Sequence, residues 1–242
     1  ISSFILECTP NEIDELLKDN DVSCGISPFR EIYDEFCSLN RCLDNVILRD
    51  FEKVDGEIVH DYIKTKLPVF TEKFKNFIEE NSVKKFIPIY QKIGDNIRKN
   101  GIALSKEDTN VEHIYAIAHR INLLIKVLRK RNKRLRDENN HKIPKDYFVI
   151  DAFRNPIEVL FFQERYAAFY LIAINAPNED RIDRLRNRFD LSPSKIEEID
   201  SKEYTKSSPL KNYSHFISQN IASCIQHADI HIHNPGKFEN QN

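Results

Sequence analysis

The chain has no methionine, not even at position 1, and no tryptophan. For 242 residues the first absence is unusual. No apolar run approaches the roughly 18 residues of a membrane span, and no signal-peptide pattern opens the sequence. The five cysteines are odd in number and widely spaced, which argues against a disulfide framework and for a reducing compartment, the cytoplasm by default. The net charge of −2 gives no global attraction to nucleic acid or membrane, so any basic site must be local.

Several chemistries are missing as well. No Gly-x-x-x-x-Gly-Lys-Ser/Thr stretch occurs, so the phosphate cradle of a P-loop enzyme is not encoded here. No His-x-Glu pairs with Pro-Cys-x-x-Cys, which excludes zinc-dependent base deamination within these residues. The serines and cysteines show no convincing nucleophile-base pairing. Cys224, His227, His231 and His233 cluster near the end, but their spacing fits no standard zinc pattern, and exposed strand histidines explain them better.

What remains is an ordinary soluble composition, 40% hydrophobic and 31% charged, in a chain able to bury one good core with a helical appendage. Thr9-Pro10-Asn11-Glu12 starts a helix that runs to Lys18 and is broken by Asp19-Asn20-Asp21 and Cys24-Gly25. Ser27-Pro28 begins another, with Phe29, Ile32, Tyr33, Phe36 and Leu39 as its apolar face. A helix with Ile58, Val59, Tyr62 and Ile63 is expected to kink or break at Pro68 before Phe70, Phe74, Phe77 and Ile78 continue. From Phe86, Ile89, Ile93 and Ile97 share a face; Gly94 within it suggests a close approach, and Gly101 makes a C-cap. One long helix is expected from Val111 to about Asn139.

That helix ends in Lys126, Arg129, Lys130, Arg131, Lys133, Arg134 and Arg136. Cations suit a helix C-terminus through the macrodipole, so the run reads either as a solvated face or as a polyanion site. His141 to Pro144 then lead into Tyr147-Phe148-Val149-Ile150-Asp151-Ala152-Phe153-Arg154-Asn155-Pro156. We read this as a buried strand that delivers Asp151 and Arg154 to its carboxyl end, followed by a helix begun by Pro156. A second strand is expected over Phe169 to Asn175, then an arginine-rich helix with Arg181, Arg184, Arg186 and Arg188. Strand, helix, strand, helix in this order predicts a parallel sheet. Phe189 to Leu210 reads as a lid or loop, Tyr213 to Ile225 as an amphipathic helix, Ala228 to Asn234 as a strand by alternation, and Gly236 as an exit.

Phe148 to Arg154 resembles the strand-end motif of P-loop nucleoside and nucleotide kinases, where an acid and an arginine face the nucleotides. Gln91 to Arg98 is similar to their Gly-Asp-x-x-x-Arg-type helix at the monophosphate site, and Arg181, Arg184 and Arg188 stand where those folds carry lid arginines. Ala228 to Asn234 resembles the closing strand of the dephospho-coenzyme A kinase branch. Taken in order, these motifs most resemble the kinase-like P-loop region that precedes the zinc deaminase domain in bacterial anti-phage deoxycytidylate deaminases, over roughly residues 86 to 238. That family's P-loop would precede Ile1 and its deaminase would follow Asn242, so the string resembles the middle of a larger protein.

The resemblance implies a three-layer P-loop NTPase-like α/β parallel sheet over residues 86–242, with an extra, mainly helical part over 1–85. It implies nucleotide binding by Arg98, Arg154, Arg181, Arg184 and Arg188, and a magnesium ion held with the nucleotide by Asp151. The function implied is regulatory or sensing, beside a deaminase domain of the same polypeptide, in a homo-oligomer. Two alternatives stand beside it: an active nucleotide kinase, and a non-enzymatic interaction module that binds nucleic acid through Lys126 to Arg136.

Overall fold

The computed structural model describes residues 1–37, 55–82, 86–106, 110–138, 146–189, 191–203 and 217–235. It divides into two compact units, Ile1–Ile150 and Asp151–Asn242.

The first unit is built of helices, with an isolated antiparallel bridge between Val22 and Ser82 among its described residues. Its elements are α1 (Ser2–Ile5), α2 (Pro10–Lys18), a short 3-10 turn Ser27–Phe29 leading into α3 (residues 30–37), and α4 (Gly56–Asp61). A π-helical stretch Tyr62–Lys66 joins α4 to α5 (Leu67–Asn81); α6 (Phe86–Asn100), a 3-10 turn Val111–Tyr115 and α7 (Ala116–Glu138) follow. The start of α2 is a capping box. Thr9 Oγ1 accepts the Glu12 N–H at 3.3 Å, and the Glu12 carboxylate accepts the Thr9 N–H at 2.7 Å. Pro68 does not break the chain. It lies in the first turn of α5, and the helix widens just before it, where the Leu67 N–H reaches the Tyr62 carbonyl five residues back.

The apolar faces of α1 to α3, α5 and α6 meet in one core. Phe29, Phe70, Phe74 and Phe77 pack ring on ring with centroids 5.0–6.4 Å apart, Phe36 joins at Phe70, and Ile78, Ile93 and Ile97 are fully buried. The aromatic stripe legible in the sequence is therefore core. Several polar groups inside are partnered: the Tyr33 hydroxyl meets the carbonyls of Ile5 and Cys8 at 3.0 and 2.6 Å. The Ser2 hydroxyl meets Thr71 Oγ1 at 2.7 Å and the Tyr90 hydroxyl at 2.9 Å. Burial pushes the Cys8 thiol up to about 12, with Glu12, Glu7 and Cys37 adding to the rise, so this sulfur stays protonated. α7 is tied to α1 by Arg120, which pairs with Glu7, donates to Ser3 Oγ at 3.1 Å and lies 3.6 Å over the Phe4 ring. Gly101 ends α6 with φ +82° and its N–H on the Ile97 carbonyl at 2.8 Å, the C-cap its position suggested.

The second unit contains α8 (Pro156–Arg165), β1 (Ile172–Asn175), α9 (Asn178–Phe189), α10 (Pro193–Glu203), α11 (Ile221–Gln226) and β2 (Ile230–His233). Asn155 anchors it: fully buried, it caps α8 through the Ile157 N–H at 2.9 Å and donates to the Ser218 carbonyl at 3.0 Å. Phe162 stacks on Phe169 and meets Phe153, forming its small aromatic core. β1 and β2 pair in parallel, with Ile172 opposite Ile230 and Ile174 opposite Ile232. Asp229 sets that register, since its carboxylate accepts the Leu171 N–H at 2.7 Å.

The expected three-layer P-loop NTPase-like sheet is not what the chain forms. The described residues are mostly helical, and their only sheet has two strands. The decisive error lies at Tyr147 to Ile150, read as a buried strand. These residues have no regular secondary structure, and Tyr147 and Val149 are 86% and 94% exposed. An aromatic, β-branched run becomes a central strand only when elements cover both its faces. Residues 193–203, read as part of a lid or loop, form α10. Pro193 starts it after Ser192, and Ile196 packs with Leu191, Ile182 and Leu185. Leu39, the lead-in His141 to Pro144, residues 204–210, Tyr213, Phe216 and Gly236 lie outside the described residues.

Candidate functional site

The residues expected to clamp a nucleotide are divided between the two units. Arg98 is on α6 of the first unit, 5% exposed, with Nη1 3.2 Å from the Asp95 carboxylate. It is a core residue rather than one presented on a surface. Asp151, Arg154, Arg181, Arg184 and Arg188 belong to the second unit. Asp151 is exposed, and Arg154 is half-buried, its carbonyl accepting the Asn220 N–H at 2.7 Å. Arg181 forms a bidentate pair with Asp200, at 2.8 and 2.6 Å, and also reaches Asn178 Oδ1 at 2.9 Å. That pair joins α9 to α10. Arg184 donates to the Asn234 carbonyl at 2.8 Å, holding α9 to the residue after β2. The Arg188 side chain lies outside the described residues. Among the described residues no group of three or more His, Cys, Asp or Glu side chains could hold a metal ion.

The basic end of α7 is organised differently. Arg131, Arg134 and Arg136 turn to acids on neighbouring segments. Glu57, at the start of α4, receives Arg131 at 2.8 Å and Arg134 at 3.3 Å. Asp146, just before the unstructured stretch, receives Arg136 at 2.9 Å and the Asn132 amide at 2.8 Å. The hydrogen bond from Arg131 is the largest influence on Glu57; with the charges of Arg131, Arg134 and His60 it outweighs desolvation and holds the carboxyl below its ordinary range. At Asp146 desolvation is the largest single influence and acts upward, but Arg136 and Asn132 hydrogen bonds with the charges of Arg136 and Arg129 bring the net below the ordinary range. Beneath these pairs Val59 and Tyr62 pack on Val127, with Leu123, Leu124 and Leu128 around them.

Lys126, Arg129, Lys130 and Lys133 are all exposed. Their spacing is i, i+3, i+4 and i+7, which places the four cations on one helical face. At 1.5 Å per residue they span about 10 Å along the axis. Tyr147, which follows Asp146 in the chain, is 86% exposed. The basic run was visible in the sequence; which cations pair was not, because Glu57 lies more than 70 residues from Arg131. The accessible Tyr147 was hidden by its resemblance to a strand.

No family model matches the chain, and no match was found among curated proteins or solved structures. No helix among the described residues is long and apolar enough to cross a membrane.

Proposed function

We propose that the chain is a non-enzymatic binding module that takes nucleic acid along the outer face of α7. The observation that carries this reading is the exposed face of four cations on that helix. Lys126, Arg129, Lys130 and Lys133 form an exposed stripe, and on the same helix Arg131, Arg134 and Arg136 reach Glu57 and Asp146. A stripe of like charge on a rigid helix suits a regularly spaced polyanion, whose condensed counterions are released on binding. The chain's net charge of −2 makes the attraction local, so orientation comes with it. The free thiols of Cys8, Cys24, Cys37 and Cys224 suit a cytoplasmic setting.

The test is charge reversal with salt titration. The K126E/R129E/K130E/K133E variant should lose at least a hundredfold in affinity for an oligonucleotide at low salt, with an unchanged circular dichroism spectrum. For the unmodified chain, four phosphate contacts predict a log–log salt slope of about −3 with single strands. Affinity indifferent to salt, or unaffected by the reversal, would remove the reading.

A further inference from the structure

We infer that the nucleic acid held by α7 is single-stranded, and that Tyr147 is the platform on which one of its bases stacks. The inference rests on the proposed role of α7 and adds to it the kind of strand recognised. An electrostatic stripe alone reads phosphates and does not distinguish duplex from single strand. A single strand differs in offering unstacked base faces, and proteins that hold one combine cations for the backbone with exposed aromatic rings for the bases.

Both parts belong to the first unit. Asp146 is fixed to α7 at two points, by Arg136 at 2.9 Å and by Asn132 at 2.8 Å. Tyr147 follows one peptide later, its Cα about 3.8 Å from that of Asp146. Tyr147, 86% exposed, with Val149 at 94% and Phe148 at 37% after it, thus directly follows a residue held to the helix that carries the cations. Exposure of an aromatic ring costs solvation free energy that burial would recover. Here the neighbouring charge selects the occupant. A protein partner with an apolar face would leave four cations opposite it, whereas a nucleic acid strand supplies phosphates for the stripe and a base for the ring. Arg129 lies close enough to Asp146 to lower its carboxyl, so a cation and the ring's anchor belong to one neighbourhood. Asp137 and Glu138 follow the stripe on α7, which ends the favourable run for phosphates.

The experiment compares three probes on the full chain: a 20-nucleotide oligo(dT), a 20-base-pair duplex and inorganic polyphosphate. The unmodified chain should bind oligo(dT) at least tenfold more tightly than duplex. Tyr147→Ala should weaken oligo(dT) binding about tenfold, within the range for loss of one base–aromatic stack, and leave polyphosphate binding unchanged. Tyr147→Phe keeps the ring and should keep the affinity, which separates stacking from loss of the hydroxyl. Equal binding of oligo(dT) and duplex, or no effect of Tyr147→Ala while the α7 reversal abolishes binding, would overturn the stacking inference and leave the basic helix in place. No binding to any probe would overturn both.

Discussion

Gly56 begins α4 where that helix meets α7, and a Cβ there would stand 2.6 Å from Arg131 Cβ. The obstacle is the base of a side chain, which cannot swing away as a flexible tip can. Alanine is the better helix former by roughly 1 kcal/mol, yet here overpacking sets the sign. Gly56→Ala should destabilise the chain by about 1–3 kcal/mol in urea unfolding. Gly94 is the internal control. A Cβ at that position meets Arg98 Nη1 and Ile1 Cδ1 at 3.4 Å, near ordinary contact with movable ends. Gly94→Ala should therefore be neutral or stabilising. If both variants lose stability equally, the close approach of α4 to α7 does not govern the site. The sequence pointed to Gly94 as the place of close approach and gave no sign of Gly56, because the crowding comes from a residue 75 positions away.

At the scale of elements, two acidic anchors hold segments to α7, and both have carboxyls below their ordinary values. A depressed folded-state pKa contributes stability that is fully present above the unfolded value, about 3.9 for Asp and 4.3 for Glu. It is lost as pH falls through the lower folded value. The chain should accordingly lose stability below about pH 4, and Asp146→Asn should lower stability at pH 7 while flattening the acid limb. Urea midpoints of both proteins between pH 2 and pH 7 check this; identical pH profiles would show that Asp146 does not anchor its segment. Glu57 is surface-exposed and screened, so its share of the acid limb should be the smaller one.

Legibility followed the range of the interactions. The capping box at Thr9, the C-cap at Gly101 and the helix of Ala116–Glu138 are local signals, read within a few residues. The parallel partnership of Ile172–Asn175 with Ile230–His233 was legible in part, since alternation marks a strand without naming its partner. Tyr147 to Ile150 defeated the reading because apolar residues show what could be buried, and only covering elements decide whether it is. Arg181 shows a related limit. Arginine serves ion pairs and phosphates with the same planar fork, so Arg181 on Asp200 and a phosphate ligand look alike in sequence.

At the scale of the whole molecule, the two units differ in how they are held together. The first has a continuous core in which Phe70, Phe74, Ile78, Ile93 and Ile97 are fully buried. In the second, Ile172, Ile174, Ile230 and Ile232 remain 45–67% exposed on a sheet of two short strands. Two-stranded sheets are marginal without covering layers, and amide exchange reports such differences as local opening free energies. Amides of α5 and α6 should therefore exchange slowest, and those of β1 and β2 much faster. Equal protection in both would mean that the strands are covered by something beyond the described residues. The same measurement separates the functional reading from general stabilisation. A ligand protects the state it binds and the amides whose opening would release it. Adding oligo(dT) should slow exchange in the C-terminal half of α7 and at residues 146–149, with β1 and β2 unchanged. A slowing confined to the second unit would place the strand there and remove α7 from the site.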